Sequence, residues 1–285
     1  MNMDHFNLDQ FIDLALHEDL SSGGDHTSKA CVPNNAKRKA RLLVKGEGVL
    51  AGIEIAKLVF SKVDPKLELD IRIQDGEEVK FGDVAFYVEG SAQSILTAER
   101  LVLNLMQRMS GIATKTANIM KLVDGTNVKV LDTRKTTPNL RYFEKLAVQL
   151  GGGTNHRYGL FDMIMIKDNH VDYAGGIVKA IQQTKTYLKE NDIDLKIEVE
   201  TRNMKEVEMV LQEGGVDRIM LDNFTPQEVA HAVKYIDGRA ETEASGGITT
   251  DTIRSYAETG VDYVSMGVLT HSVMSLDLSL KAMDA

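Results

Sequence analysis

Four cations that could act on one ligand, Arg134, Lys135, Arg157 and Lys167, fall in the stretch Asp132 to His170, DTRKTTPNLRYFEKLAVQLGGGTNHRYGLFDMIMIKDNH. The chain as a whole is acidic, with a net charge of −9, yet this stretch holds six Lys or Arg against four Asp or Glu. Arginine pairs bidentately with carboxylates and phosphates, and lysine acts on them as a point charge. Arg134 and Lys135 follow the apolar run VKVLDT, and Lys167 ends a second run, DMIMIK. Read as buried strands, both runs leave a cation at the C-terminal end, where open and closed α/β sheets carry their chemistry. A ligand with several negative charges is expected. One such cation alone would read as a surface ion pair of little energetic weight. A cluster at strand ends in an acidic protein reads differently.

Carboxylates stand in matching places. Glu200 and Asp222 end the runs LKIEVE and DRIMLD, and Glu198 shares the strand face of Glu200. Oxygen donors of this kind suit Mg²⁺, bound directly or through water. The plainer alternative is that one of them pairs with Lys167. No Cys/His set stands at zinc-ligand spacing, and His17 and His26 read as surface or capping residues. His156 would either orient the ligand or serve as a loop histidine. Gly151, Gly152 and Gly153 follow LRYFEKLAVQL. A helix C-cap explains one glycine, and three suggest a backbone that turns sharply or approaches a ligand. Ser245-Gly246-Gly247-Ile248 precedes the helical pattern TTDTIRSYAETG, a candidate phosphate cradle at a helix N-terminus. Gly267 ends the next strand, and β/α barrels often build phosphate sites from their last two βα loops.

The elements that must position these residues form six strand-like runs: 128–133, 162–167, 195–200, 217–222, 240–245 and 262–266. The last four starts are 22, 23 and 22 residues apart, a spacing that suits repeated βα units. Six are too few for a complete eight-stranded barrel. The expected fold is α/β: an incomplete β/α barrel of six or seven strands over 113–272, preceded by a smaller α+β domain over 1–112. In that domain ARLLVKGEGVLAG, LELDIRIQDG and DVAFYVEG alternate as an antiparallel sheet would, with turns at Asp75-Gly76 and Gly82-Asp83. IEIAKLVFSKV and residues 8–19 read as helices, and 92–109 as a strong one carrying Arg100 and Arg108. Arg108 reads as a solvated, salt-bridging side chain. The organisation changes after Gly111. The closing SLDLSLK alternates like a strand, and residues from about 273 to 285 are expected to return to the N-terminal sheet.

With 285 residues, 43% of them hydrophobic and 26% charged, the chain can bury a sizeable core and reads as an ordinary globular protein. Cys31 is the only cysteine, so no intramolecular disulfide forms and a reducing compartment fits best. MNMDHFNLDQ has neither the basic nor the apolar region of a signal peptide. No run approaches the ~20 apolar residues that cross a bilayer, and an acidic balance argues against general nucleic-acid binding. The expectation is a cytoplasmic protein without nucleic-acid or membrane partners.

Glu99-Arg100-LVLN, DTRKTTP from Asp132, GGGTNHR, MIKDNH, EVE, LDN and SGGI occur in this order between Glu99 and Gly267. Together they make the sequence resemble the quinolinate phosphoribosyltransferase family. Asn139 departs from the pattern, which usually has Gly after the Thr-Pro, but Asn tolerates a left-handed backbone. The resemblance implies a two-domain enzyme of NAD biosynthesis. It would convert quinolinate and phosphoribosyl pyrophosphate, with Mg²⁺, into nicotinate mononucleotide, pyrophosphate and CO2. It also implies a homodimer in which Arg100 of one subunit completes the neighbouring site. Arg134, His156, Arg157 and Lys167, with Arg100 in trans, would then take the dicarboxylate, and Lys135 would lie nearer the pyrophosphate. Glu200 and Asp222 would hold the ribose hydroxyls and Mg²⁺, and Ser245, Gly246, Gly247 and Gly267 the 5-phosphate. The catalytic set would be Lys135, Lys167, Glu200 and Asp222. A relative acting on another base, such as nicotinate, is the nearest rival. A barrel aldolase using Lys167 as a Schiff base leaves the arginines, the SGGI loop and the carboxylate pair unexplained. A non-catalytic anion-binding protein rests only on the lack of an obvious nucleophile.

Overall fold

The computed structural model describes residues 6–283. Within them the chain forms two compact units, one of residues 6–117, 137–152 and 272–283, the other of 118–136 and 153–271. We number ten strands: β1 Lys37–Val44, β2 Glu68–Ile71, β3 Val84–Ser91, β4 Lys129–Leu131, β5 Ile164–Ile166, β6 Ile197–Thr201, β7 Arg218–Asp222, β8 Glu241–Ser245, β9 Tyr263–Ser265 and β10 Leu278–Ala282. A two-stranded ribbon, Gly48–Val49 with Glu78–Val79, completes the β-structure. The helix expected at 8–19 spans Leu8–Leu20; residues 1–5, the start of the stretch read as lacking a signal peptide's features, lie outside the described residues.

In the first unit β10, β1, β3 and β2 lie side by side, all antiparallel. The register sets Leu42 of β1 between Phe86 of β3 and Leu280 of β10. All three are buried, as period-two alternation requires of a sheet with one covered face. The helix Ile53–Val63 supplies the cover: Val59 and Phe60 are wholly buried, and the rings of Phe60 and Phe86 meet edge-on with centroids 5.9 Å apart. Asp75, from the turn read as Asp-Gly, caps that helix. Its carboxylate accepts from Gly52 N at 2.6 Å and Ile53 N at 2.8 Å, satisfying donors that the first turn leaves unpaired.

The helix read over 92–109 runs on past its expected end. One helix runs from Ala92 to Leu122, and Gly111 sits inside it because something must come close there. A Cβ at Gly111 would collide with the Met274 carbonyl oxygen and stand 3.0 Å from Ser275 Cα. Polar residues of the same helix serve loop backbone: Ala51 N donates to Ser110 Oγ at 2.9 Å and Val49 N to Thr114 Oγ1 at 2.9 Å. Arg108 is not merely solvated. Its guanidinium donates twice to the fully buried Glu144, at 2.8 and 3.1 Å.

The second unit is a parallel sheet of six strands in the order β4-β9-β8-β7-β6-β5, flanked by helices at the expected spacing. It is an incomplete barrel: among the described residues β4 and β5, the two edges, do not pair. In their place the Thr154 segment runs beside β4, with Thr154 N donating to Val130 O at 2.8 Å and Asp132 N to Thr154 O at 3.1 Å. Ile197, Val199, Ile219, Leu221 and Ala244 are buried, as expected of strands covered on both faces. The residues that alternate with them on the inner face include charged ones: Glu198, Arg218 and Glu243 are buried too, beside Met220. Helix starts are capped by their own sequence, as at Thr225, where Pro226 follows and Glu228 closes a capping box.

Ala normally stabilises a helix interior relative to Gly by ~0.5–1 kcal/mol. At Gly111 the sign should reverse, with Gly111→Ala lowering stability by ~1–3 kcal/mol through overpacking. Urea unfolding measures it, and an unchanged or raised midpoint would show that the close approach is not needed.

Candidate active site

Each parallel strand delivers a polar or small residue to one rim: Arg134 and Lys135 just beyond β4, Lys167 after β5, Glu200 on β6, Asp222 on β7, Ser245 on β8 and Gly267 after β9. The rim surrounds a cavity of about 780 Å³. Arg134, Lys135, His156, Arg157, Lys167, Glu200, Asp222, Ser245, Gly246, Gly247 and Gly267 all line it, and so do Glu243 and His271. Arg100 does not; it is exposed on the helix Ala92–Leu122 of the first unit. A second cavity, about 290 Å³ and lined by Leu96, Leu280 and Ala282 among others, lies within the first unit and gathers no comparable set of charges.

The cations crowd one another. Burial, and then the charge of Arg134, lower the pKa of Arg157, whose Nη1 is tied to Met163 O at 3.1 Å. Arg134 Nε is buried and has no hydrogen-bond partner among the described residues. Two guanidiniums facing one space, one of them short of an acceptor, suit an anion with more than one negative group. Lys167 Nζ lies 3.2 Å from Glu200 Oε2, so the plainer pairing considered for the carboxylates does occur. Burial, followed by the charge of Glu200, raises the Asp222 pKa.

Backbone twists hold these groups in place. Asn223 adopts φ 58°, donates from Nδ2 to Asp222 Oδ2 at 2.6 Å and from its backbone N to Ser245 O at 2.8 Å. Gly246 has φ 93° and Gly247 φ 63°, and a Cβ on Gly246 would collide with the Asn223 side chain. These glycines bring bare backbone to the cavity. The helix expected to present its N-terminus here starts only at Ile253 and is five residues long, because Thr249–Thr252 turn on their own hydroxyls. The cradle is therefore a glycine loop and not a helix end. At Gly267 a Cβ would approach Lys135 Cδ to 2.9 Å and His271 Cδ2 to 3.1 Å, so the glycine leaves room for both side chains. Asn139 takes φ 65°, the left-handed conformation for which Gly is the usual choice. The triple glycine does not reach the cavity. Gly151 lies against Ala113 O and Thr116, and Gly152, at φ 86°, turns the chain out of the helix Arg141–Leu150.

Beneath the cavity lies a cluster that the sequence only half shows. His156 Nε2 is 3.1 Å from Glu198 Oε2 and 3.3 Å from Glu243 Oε2. Arg218 Nη1 is 3.1 Å from the same Glu243 oxygen and 3.9 Å from Glu198, and its guanidinium stacks 3.9 Å from the centre of the Tyr263 ring. Both glutamates are wholly buried. Burial disfavours a charged His156 ring, while Glu198 and Glu243 pull its pKa up, toward about 9 for a ring whose two nitrogens are both free to hold a proton. Arg157 N lies 2.6 Å from His156 Nδ1, a contact that needs the lone pair of that nitrogen. A second proton on Nδ1 would set two N–H groups against each other, so we place the ring proton on Nε2, toward the carboxylates. Burial and then Glu243 raise Glu198 to about 7, while His156, Ser265 and Arg218 hold Glu243 below the usual range despite its burial. Glu243 had no signal in the sequence beyond its alternation in AETEAS, and Arg218 looked like the polar start of a strand.

Family models for the N-terminal and C-terminal domains of quinolinate phosphoribosyl transferase match residues 25–110 and 112–281. Quinolinate phosphoribosyltransferase [decarboxylating] 1b of Nicotiana tabacum is 46% identical over 97% of this chain and 82% of its own length. The crystal structure of NadC from Streptococcus pyogenes superposes with a TM-score of 0.92 at 39% identity, covering 100% of both chains. Relatives from Nicotiana glauca (44% identical) and Arabidopsis thaliana (45%) are named mitochondrial and chloroplastic. These names overturn the cytoplasmic expectation, since neither a lone cysteine nor the first ten residues of a chain fixes the compartment of a family found in organelles. Two domain models in succession and near-half identity along almost the whole length make this chain a member of the quinolinate phosphoribosyltransferase family.

Proposed function

We propose that this protein transfers phosphoribose from phosphoribosyl pyrophosphate to quinolinate with loss of CO2, giving nicotinate mononucleotide and pyrophosphate for NAD biosynthesis. The observation that carries the reading is the pair of crowded guanidiniums, Arg134 and Arg157, at a rim that also holds Lys135 and Lys167. Quinolinate brings two carboxylates on a pyridine, and the donor brings a phosphate and a pyrophosphate. Decarboxylating relatives over nearly the full chain support the same choice over nicotinate. The aldolase alternative would leave the arginines without a task.

Arg134, Arg157 and Lys167 hold the dicarboxylate above His156, and Lys135 faces the pyrophosphate. Ser245, Gly246, Gly247 and Gly267 receive the 5-phosphate on bare backbone. Glu200 and Asp222 hold the ribose hydroxyls. As an oxygen-only pair whose charges oppose each other, they would also hold Mg²⁺. When bound there, Mg²⁺ would supply positive charge against the pyrophosphate.

The ring nitrogen forms its bond to C1 of the ribose while the C1–O bond breaks, and pyrophosphate leaves with the electron pair through an oxocarbenium-like state. The ring nitrogen is now positive and draws in the electrons released when the bond from C2 to its carboxylate breaks. CO2 departs, and C2 takes a proton. No protein nucleophile is needed: positioning and fixed charge supply the catalysis. The exposed Arg100 completes the neighbouring site in a homodimer.

Quinolinate with phosphoribosyl pyrophosphate should release CO2 and pyrophosphate in equal amounts, and only with Mg²⁺. Pyrophosphate without CO2 would point to another base, and neither product would sink the reading. Arg134→Ala and Lys167→Ala should each abolish turnover with the melting curve preserved; near-normal rates in either would remove that residue from the site. Mixing the inactive Arg100→Ala and Lys167→Ala proteins should restore about a quarter of wild-type activity, as random pairing in a two-fold dimer gives one intact site per mixed dimer. Continued inactivity would argue against a shared site.

Asp222 also offers a test through stability. Its pKa is raised in the folded state, so it favours folding below its unfolded pKa and loses that contribution as pH rises through the folded value. Metal-free Asp222→Asn should therefore melt higher than wild type at pH 7, with the gap closing toward pH 4, while losing activity. A variant no more stable at pH 7 would show that the carboxylates do not strain each other.

A further inference from the structure

Glu243 borders the cavity floor yet is wholly buried. Nothing in the proposed chemistry uses it. Removing a carboxylate from water costs several kcal/mol even when it is paired, and apolar residues of similar size commonly replace buried ion pairs without loss of stability. Its neighbours on the inner face include Met165 and Met220, so apolar side chains are accepted in this interior. A second buried glutamate beside Glu198 is therefore poorly explained as packing. Its contacts give it a direction. Glu243 takes Arg218 Nη1 on one side at 3.1 Å and faces His156 Nε2 on the other at 3.3 Å. Arg218 is itself held by Glu241 at 3.1 Å and by the Tyr263 ring.

His156 passes this constraint upward. Its backbone N donates to the buried Asp132 at 2.8 Å, and its Nδ1 receives the backbone N–H of Arg157 at 2.6 Å. With Nε2 turned to the two carboxylates and Nδ1 to Arg157, both ring nitrogens face protein. His156 then offers a ligand its ring and not an N–H. Arg157 follows in the chain, and Met163 O restrains one arm of its guanidinium.

We propose that Glu243 is a positioning residue that acts through His156 to aim Arg157 at the dicarboxylate, with no part in holding the phosphoribosyl donor. This rests on the assignment of quinolinate to the arginine side of the cavity. The half-site it governs is the side of Arg134 and Arg157: Ser245 ends the strand of Glu243, and Ser265, two residues before Gly267, touches Glu243, but the contacts of His156 run to Asp132 and Arg157 and not to those loops.

The test uses the full chain with Glu243→Gln, which keeps the shape but removes the charge, and Glu243→Ala. Initial rates are measured with each substrate varied in turn, and quinolinate binding alone by calorimetry. Loss of the carboxylate charge that faces His156 should raise the quinolinate KM and weaken quinolinate binding by about tenfold or more. The donor KM should stay within about twofold, a split that general loosening would not produce. Equal changes in both KM values, or unchanged quinolinate binding, would overturn the proposal. Nitrogen-15 spectra of the unmodified protein, with labelled histidine, give a reading that needs neither a variant nor turnover. At pH 8 His156 should carry its proton on Nε2 and leave Nδ1 bare. A proton on Nδ1 would break the link to Arg157 and end the proposal whether or not the variants fold. If the wild-type protein fails to bind quinolinate, the substrate assignment falls, and the histidine spectra alone then decide whether the link exists.

Discussion

Two glutamates with no exposed surface, Glu198 and Glu243, stand inside a parallel sheet, and the charge of Arg218 is what makes that interior tolerable. Ionised carboxylates cannot stay in such a place without a compensating cation in contact. Arg218 meets the requirement with a planar group that reaches both glutamates and Glu241 while lying flat on Tyr263. An ammonium could supply the charge but not the stacked plane. The floor of the cavity, the orientation of His156 and the start of the Arg157 loop all rest on that arrangement. An ordinary barrel fills its interior with branched apolar layers; here polar contacts replace part of that filling.

The rim above this floor works by contrast. Its cations are only partly satisfied by the protein, and several of its loops adopt conformations that cost something to hold. Asn223, Gly246 and Gly247 are left-handed in close succession, and the first of them fixes both Asp222 and Ser245. Buried charges of both signs below and crowded cations above give the site a polarity along the strand direction. Anions are drawn to the top, and the groups beneath have no freedom to follow them.

Much of this was legible in the sequence, for reasons that can be named. The parallel strands announced themselves because strands covered on both faces are apolar runs, and their polar endings marked the rim. The site residues carried by those endings, from Arg134 to Gly267, meet in one cavity. What failed to show was anything decided by contacts far apart in the chain. The helix read over 92–109 continues through Gly111 to Leu122, and what fixes a glycine there lies at Met274, more than a hundred residues on. TTDT read as a helix entry, but its hydroxyls bind the backbone of their own turn and delay the helix to Ile253. Glu243 was invisible because alternation in AETEAS says that one face differs from the other without saying which is inside. Arg108 looked solvated because nothing nearby in sequence reveals a buried Glu144.

The gap between β4 and β5, spanned on one side by the Thr154 segment, has a consequence for how such a protein can change. In a closed barrel, strand number and stagger fix the circumference, so the mouth can be resized only by altering every strand together. An unclosed ring carries no such arithmetic. The piece of chain beside β4 is a loop that enters with two backbone hydrogen bonds, and lengthening or shortening it leaves the register of the other strands untouched. The width of the mouth on the arginine side is thus a property of a loop, open to adjustment by small insertions, while the phosphate side stays under the stricter rule of paired strands.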